Sequence, residues 1–325
     1  MIIMIEYSVI IRTTGKASEK YQRLLDSIEK LIPQPQEIIV VLPEGSQYPS
    51  ETLGKETYYF SPKGMVIQRM VGIDMCKTKY ALICDDDVQF ESDFVEQLYE
   101  PIKEGLCSIT AGPLYSFLPP KGINAFWCTL MGSAMPTVFH KDRYISILRT
   151  SGYSYNKKLD VSKKYYETQS VAWTCFFADV DAIKQINFMD EIWLDSHGYS
   201  SLDDQTMFYK AYLRGIKTMV VVSAEYKHLD ARTSIRDNRD PVLYSLSFNR
   251  IVFWHRFIYK KQSNLWLKFV AILCIAYRST WLFAFNILDI LRRRMTVRDF
   301  KTSCKGYIDG WKYLRTKEYK ELPFV

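Results

Sequence analysis

Three consecutive carboxylates, Asp85-Asp86-Asp87, close the apolar run YALIC at residues 80 to 84. Adjacent negative charges at a partly buried strand end repel one another, so water or a cation must offset them. A hard divalent ion, Mg2+ or Mn2+, suits this role because it takes oxygen ligands and keeps positions open for phosphate. On an extended backbone Asp85 and Asp87 point to one side and Asp86 to the other. One pair would then hold the ion and ligand hydroxyls. The same triplet would also serve as an acidic turn ahead of a helix beginning near Ser92. A second acidic pair, Asp203-Asp204, opens the helical run DDQTMFYKAYLRG, whose inward face is Met207, Ala211 and Phe208. Asp is a common helix cap. Facing a metal-bound nucleotide, it also stands where a general base takes a proton from an incoming hydroxyl. His228, in EYKHLDART, would complete a metal shell or touch phosphate, with Arg232 nearby to neutralise charge; a lone His serves equally as a surface or satisfied core residue. Arg69 and the Lys63-Gly64 turn, taken alone, read as a solvated helix face and a plain turn.

These residues need a frame to bring them together. YSVIIR (7 to 12) is a β-branched run followed by the polar turn TTGK, and Ser18 is placed to cap a helix over 19 to 31 with Tyr21, Leu24, Leu25 and Ile28 on one face. EIIVVL (37 to 42) predicts a second buried strand, YYF (58 to 60) a short third, 65 to 76 a helix and 80 to 84 the next strand. Strands apolar on both faces and joined by helices imply an α/β fold with an open, mostly parallel sheet between helices. Such sheets bind ligands at the carboxyl ends of their strands, so the loops after Arg12, Leu42 and Cys84 are expected to share one crevice. Further on, 93 to 103 reads as helix, 106 to 111 and 171 to 177 as strands, 203 to 214 as helix and 218 to 223 as strand. The stretch 113 to 168 is rich in aromatics, Gly and Pro and has no clear period.

Composition narrows the class. The 325 residues are 48% hydrophobic and 24% charged, which excludes a disordered, collagen-like or disulfide-stapled chain. The seven cysteines are scattered, with no C-x-x-C pair, and point to thiols in a reducing cytosol. MIIMIEYSVII has neither a basic leader nor a cleavage site and runs directly into the first strand, so no signal peptide is expected. The net charge is +7, but residues 250 to 325 hold 16 Lys/Arg against 5 Asp/Glu, so the tail is basic and the rest acidic.

The order of these parts resembles the inverting family 2 glycosyltransferases, which have the GT-A fold. A first strand ends in a nucleotide-binding turn (Arg12-Thr13-Thr14), a second in an acidic turn (Glu44), then come a Gly and a helical Arg (Gly64, Arg69), a D-x-D-type strand end (Asp85 to Asp87), and an acidic pair opening a helix (Asp203-Asp204). The resemblance spans about residues 5 to 232. It implies that Asp87 is the principal metal ligand, with Asp85 and His228 in the metal set. Asp85 and Asp86 would contact the donor sugar or ribose, and Arg12, Thr13, Glu44, Gly64 and Arg69 would line the nucleotide-sugar site. Asp204 would be the base, with Asp203 beside it. The implied reaction is attack by an acceptor hydroxyl on the anomeric carbon of a nucleotide-sugar, with inversion and with Mg2+ or Mn2+. Where many relatives have Asp to read the base, this chain has Pro43 and Glu44. It also lacks the Q-x-x-R-W of processive synthases, which favours single addition.

The implied organisation is a catalytic domain over 1 to 240, with a nucleotide-sugar half (1 to 112) and an acceptor half (113 to 240), followed by a basic, aromatic helical region over 241 to 325. Tyr115, Phe117, Phe126, Trp127 and Tyr153 would offer ring faces to a saccharide or lipid-linked acceptor. Residues 269 to 288 carry Arg278 as their sole charge and just reach bilayer length. Arg278 at the midplane costs about 2.5 to 3.5 kcal/mol on insertion scales. Trp266, Trp281, Phe285 and the Arg292-Arg293-Arg294 run suit an interfacial helix. We therefore expect peripheral or monotopic attachment at the cytoplasmic face of the membrane, against the alternatives of a span or a helix pair packed on the catalytic domain. Competing functions are a nucleotidyltransferase, which needs a Gly-rich basic loop after the first strand, and a non-catalytic membrane- or nucleic-acid-binding protein, for which no binding motif is present.

Overall fold

The computed structural model describes residues 5–138, 141–230 and 239–325. Four strands, β1 (Tyr7–Arg12), β2 (Glu37–Pro43), β3 (Glu56–Ser61) and β4 (Tyr80–Asp85), lie in the order β3-β2-β1-β4 and are all parallel. The crossovers α1 (Glu19–Glu29) and α2 (Met65–Met75) cover opposite faces. The period of two explains why: Ile10, Ile39, Val41 and Ile83 join Val66, Met70 and Ile73 of α2 in one core, while Val9, Ile11, Ile38, Val40 and Leu82 join Tyr21, Leu24 and Leu25 of α1 in the other.

After β4 the chain turns into β5 (Val88–Phe90), α3 (Phe94–Lys103) and β6 (Ile109–Ala111). The aromatic stretch that lacked a period contains α4 (Ile123–Leu130) and a separate sheet of β7 (Ala134–Pro136), β8 (Ile145–Ile147) and β9 (Tyr153–Tyr155), in the order β7-β9-β8. Three-residue strands are too short to show alternation. Next come β10 (Tyr165–Thr168), β11 (Cys175–Asp179), α5 (Val180–Gln185), a 3-10 segment Phe188–His197, α6 (Asp203–Leu213), β12 (Thr218–Val221) and β13 (Tyr226–His228), which pairs with β5. The completed sheet has eight strands in the order β10-β12-β6-β11-β4-β1-β2-β3, with β11 antiparallel to β4 and β6, and β10 antiparallel to β12.

Some local expectations shift. Ser18 precedes α1 but makes no side-chain cap and has φ 50°. The strand expected over 171 to 177 begins only at Cys175; ahead of it Val171 and Trp173 are buried and border cavities. All seven cysteines are free thiols.

The C-terminal region comprises α7 (Asp240–Phe253), which runs into a π-helical turn Trp254–Tyr259, then α8 (Leu265–Leu291), α9 (Val297–Tyr313) and α10 (Lys317–Glu321). Phe248, Ile251, Val252, Phe253, Trp254 and Phe257 belong to the same core as α2 and the sheet. A buried charge cluster reinforces the join. Glu191, fully inaccessible, accepts two bonds from Arg256 at 2.7 and 2.8 Å, one from Lys210 at 2.8 Å and one from the Trp193 indole at 2.8 Å. The 27-residue α8 is long and apolar enough to cross a membrane. It buries Ala271, Ile275, Arg278 and Ser279, while Trp266, Phe269, Ile272, Leu273 and Leu291 are exposed.

Candidate active site

β4 ends at Asp85, and the chain turns at once into β5. The alternation expected through the acidic triplet therefore stops at its first member, and the three carboxylates meet three different partners. Asp85 keeps the parity of Ile83 and faces α2. Its Oδ1 accepts from Arg12 Nε at 3.1 Å and from Arg69 Nη2 at 3.1 Å. Asp86 accepts from the Thr13 hydroxyl at 2.5 Å. Asp87 Oδ1 lies 3.3 Å from His228 Nε2. The β5–β13 pairing produces this last contact, since it sets His228 opposite Val88, one residue past Asp87.

Asp203 and Asp204 stand on the first turn of α6, after Leu202 at φ 69°. A left-handed β-carbon residue beside two acids is a strained backbone held by its surroundings. Arg69 Nη1 donates to Asp203 Oδ2 at 2.5 Å, so one guanidinium bridges the acids of β4 to those of α6, and its face lies 4.4 Å from the Trp173 ring centroid. Arg69, Asp85, Asp86, Asp87, Asp203, Asp204 and His228 all border one cavity of about 210 Å³.

Electrostatics divide these acids. Burial alone would raise Asp85, but Arg12 and Arg69 outweigh it and hold its pKa below the usual carboxylate range. Burial pushes Asp86 up to about 7, against the Thr13 hydrogen bond and the charge of Arg12. Burial and then the neighbouring Asp203 push Asp204 up to about 7, although Gln205 N–H donates to it at 2.6 Å. Burial would depress His228, but its bond to Asp87 and that charge win, so its pKa rises.

Two further cavities flank this one. On the sheet side a cleft of about 510 Å³ is bordered by Arg12, Lys16, Glu44, Lys63, Gly64 and Tyr199, and it shares Arg12, Met65 and Tyr199 with the acidic cavity. The loops after β1, β2 and β3 meet there. The Thr13 hydroxyl is used internally, donating to Asp86 and accepting from Gly15 N–H at 2.9 Å. On the other side an apolar cavity of about 340 Å³, with Leu118, Ile147, Tyr153 and Val171, shares Phe117 and Asp204. Tyr115, Phe126 and Trp127 do not border it. Phe126 and Trp127 lie on α4, where Trp127 packs on Phe285 of α8.

Sequence reasoning passed over Asp195, whose carboxylate accepts from the N–H groups of Met65, Val66 and Ile67 at 2.8 to 3.1 Å and from the Ser200 hydroxyl at 2.5 Å. It caps α2 from 130 residues away. Gly64 allows this, since a β-carbon there would fall 2.3 Å from Asp195 Oδ2. No local pattern around Asp195 announces the role, nor those of Trp173 and Tyr199. Arg232 lies outside the described residues.

Among the described residues no cluster of three or more His, Cys, Asp or Glu side chains is arranged to hold a metal ion. A divalent cation nevertheless fits the chemistry of the cavity. Six carboxylates, Asp230 among them, face two arginines and one histidine, burial pushes two of the acids up to about 7, and the Asp87–His228 pair supplies an oxygen and a nitrogen donor.

No curated protein sequence matches the chain. Among solved structures, S. aureus TarS 1–349 superposes with a TM-score of 0.51 at 14% identity, covering 94% of this chain and 81% of that one. The same protein in complex with UDP-GlcNAc gives 0.52 at 12% identity, covering 94% and 80%. GalNAc-T7 with UDP, GalNAc and Mn2+ gives 0.53 at 14% identity, covering 78% of this chain and 49% of that one, so the chain spans about half its length. At such identities the likeness carries the fold. The sequence profile described as glycosyl transferase family 2 matches residues 8–183, more than half of the chain, from β1 through the acidic triplet to α5. The chain therefore belongs to glycosyl transferase family 2 and is a glycosyltransferase of GT-A fold.

Proposed function

We propose that this enzyme transfers one sugar at a time from a nucleoside-diphosphate sugar to a saccharide or lipid-linked acceptor hydroxyl, with inversion, at the cytoplasmic face of a membrane. The observation that carries the reading is the single cavity bordered by Asp87 on one side and Asp204 on the other. The donor occupies the cleft of Arg12, Glu44, Lys63 and Gly64, with its diphosphate toward Arg12. UDP-linked donors are favoured, as the complexes of TarS with UDP-GlcNAc and of GalNAc-T7 with UDP carry such groups in this fold.

Asp204, whose proton affinity is near neutrality, accepts the proton of the acceptor hydroxyl entering from the apolar side. Asp203 is neutralised by Arg69 and holds the turn of α6 in place. We assign Asp85 to orienting the two arginines, because both already occupy it, and Asp86 to the donor sugar or ribose. Asp87 and His228 would hold Mg2+ or Mn2+, which when bound offsets negative charge developing on the departing diphosphate. The exposed apolar side of α8 and the following Arg292-Arg293-Arg294 would rest on the membrane surface.

The test is acceptor-dependent turnover of UDP-sugars by Asp204→Asn and Asp87→Asn. Loss of a general base lowers turnover by about 10²- to 10⁴-fold, with UDP affinity retained in Asp204→Asn, and Asp87→Asn should raise the metal concentration needed. An Asp204→Asn enzyme within tenfold of wild type would remove the base assignment (about 10-fold being below the range for such a group).

A further inference from the structure

The donor cleft and the acidic cavity meet at a neck of three residues, Arg12, Met65 and Tyr199, which border both. A donor with its base in the cleft and its anomeric carbon among the carboxylates must thread its diphosphate through this neck. A diphosphate needs hydrogen-bond donors there. Met65 offers none from its backbone, since its N–H is bound to Asp195 Oδ1 at 2.8 Å. Arg12 Nε is bound to Asp85 at 3.1 Å, whereas its two terminal nitrogens have no hydrogen-bond partner among the described residues. The Tyr199 hydroxyl likewise has none among the described residues. These are the two side chains at the neck with donors to give.

The loop that carries Tyr199 is held from several directions. Gly198 (φ 76°) turns the chain out of the 3-10 segment, and Leu202 (φ 69°) turns it into α6. Between them the Ser200 hydroxyl donates to Asp195 at 2.5 Å, Ser201 and Ser245 of α7 share a hydrogen bond between their hydroxyls at 3.0 Å, and the Ser201 carbonyl accepts from Asn249 Nδ2 at 2.8 Å. Asp195 thus fixes two sides of the neck at once, Met65 through its N–H and Tyr199 through the residue that follows it. A ring on so constrained a loop is preorganised, and a ligand that meets it has little left to order. Burial, and then the charges of Asp203 and Asp204, raise the pKa of the phenol, so it keeps its proton and acts as a donor.

We propose that the Tyr199 hydroxyl, together with Arg12, donates to an oxygen of the donor's diphosphate and stabilises that group as it leaves. The assignment rests on the donor reading given above and adds a substrate contact to it. In the transfer, the bond between the anomeric carbon and the diphosphate oxygen breaks and its electron pair stays on that oxygen. The acceptor oxygen bonds to the carbon, and its proton passes to Asp204. Tyr199 keeps its own proton throughout, and its hydrogen bond strengthens as charge grows on the departing oxygen.

The experiment compares wild type with Tyr199→Phe, which keeps the ring and removes a hydroxyl that has no partner among the described residues. Dissociation constants for uridine, UDP and UDP-GlcNAc are measured by calorimetry on the full chain in one Mn2+ buffer. UDP and UDP-GlcNAc should bind the variant about 10- to 100-fold less tightly, the range for losing one hydrogen bond to a charged group, while uridine binds both proteins equally. An equal loss for all three ligands would mark a disturbed loop and refute the contact. Unchanged UDP affinity with weaker UDP-GlcNAc would place the hydroxyl on the sugar and overturn its assignment to the diphosphate. In the acceptor-dependent assay, turnover at saturating donor should also fall about 10-fold or more; weaker UDP binding with unaltered turnover would keep the contact and overturn its part in departure. Wild type indifferent to UDP would overturn the choice of donor and this assignment with it, whereas wild type and variant that bind UDP equally would refute Tyr199 alone.

Discussion

Replacing Asp204 by Asn should make the metal-free protein more stable at pH 8 while lowering transfer by about 10²- to 10⁴-fold. An acid whose folded pKa lies above its unfolded one binds its proton more tightly in the fold, so folding stability falls as pH rises from the unfolded value toward the folded value and is flat beyond. For Asp204 that window runs from 3.8 to about 7. The interval corresponds to about 4 kcal/mol at 25 °C, and water entering the open cavity reduces the expected figure to about 2 kcal/mol. Asn keeps the shape and can still accept from Gln205 N–H, but it carries no charge toward Asp203. Urea unfolding of both proteins with chelator present, at intervals from pH 4.5 to 8, is the assay. The curves should lie closest at pH 4.5, where only the first part of the window from 3.8 to about 7 has been crossed, and separate further in favour of the Asp204→Asn variant as pH rises toward 7. A variant that is less stable at pH 8, or a difference independent of pH, would show that Asp204 carries no stored repulsion and would weaken its case as a base.

Other outcomes follow from packing. Glu191→Ala leaves Arg256 buried without its acid and Lys210 with Asp190 alone, and should cost about 3 to 5 kcal/mol in chemical denaturation; a loss below about 1 kcal/mol, the level of an exposed pair, would mean the C-terminal helices are not tied to the catalytic core through this cluster. Asp195→Ala removes the cap of α2 and should cost about 1 to 2 kcal/mol, with a raised KM for the donor because α2 carries Arg69; unchanged KM would confine Asp195 to stability. Exchanging Trp266 and Leu273 together for Ser should release the protein from vesicles without lowering its melting temperature, since both are exposed. Retained vesicle binding would place the membrane contact elsewhere.

The repeating units of the fold were legible because each β-branched run is buried on both faces and each crossover helix has one apolar stripe. Those patterns are local and leave little choice of architecture. The acidic triplet was visible for the same reason, as charge at the end of an apolar strand has few structural uses. Its division was not visible. Whether Asp87 meets Asp85 or His228 depends on a turn that ends β4 one residue after Cys84 and on the pairing of β5 with a strand 138 residues away. Periodicity also gave no account of 113 to 168, where strands of three residues pair with one another and β7 packs on α4.

What sequence alone determined, then, is the order of strands and helices through the first hundred residues, the polarity of each segment and the two acidic groups, since all of these follow from side-chain type and near-neighbour spacing. Only the tertiary structure decided that Arg69 bridges those groups, that Asp195 caps a distant helix, and that Arg278 turns toward the protein and away from the exposed side of α8. Each of these is a contact between residues more than a hundred positions apart, and such contacts depend on how completed elements pack, which no local pattern encodes.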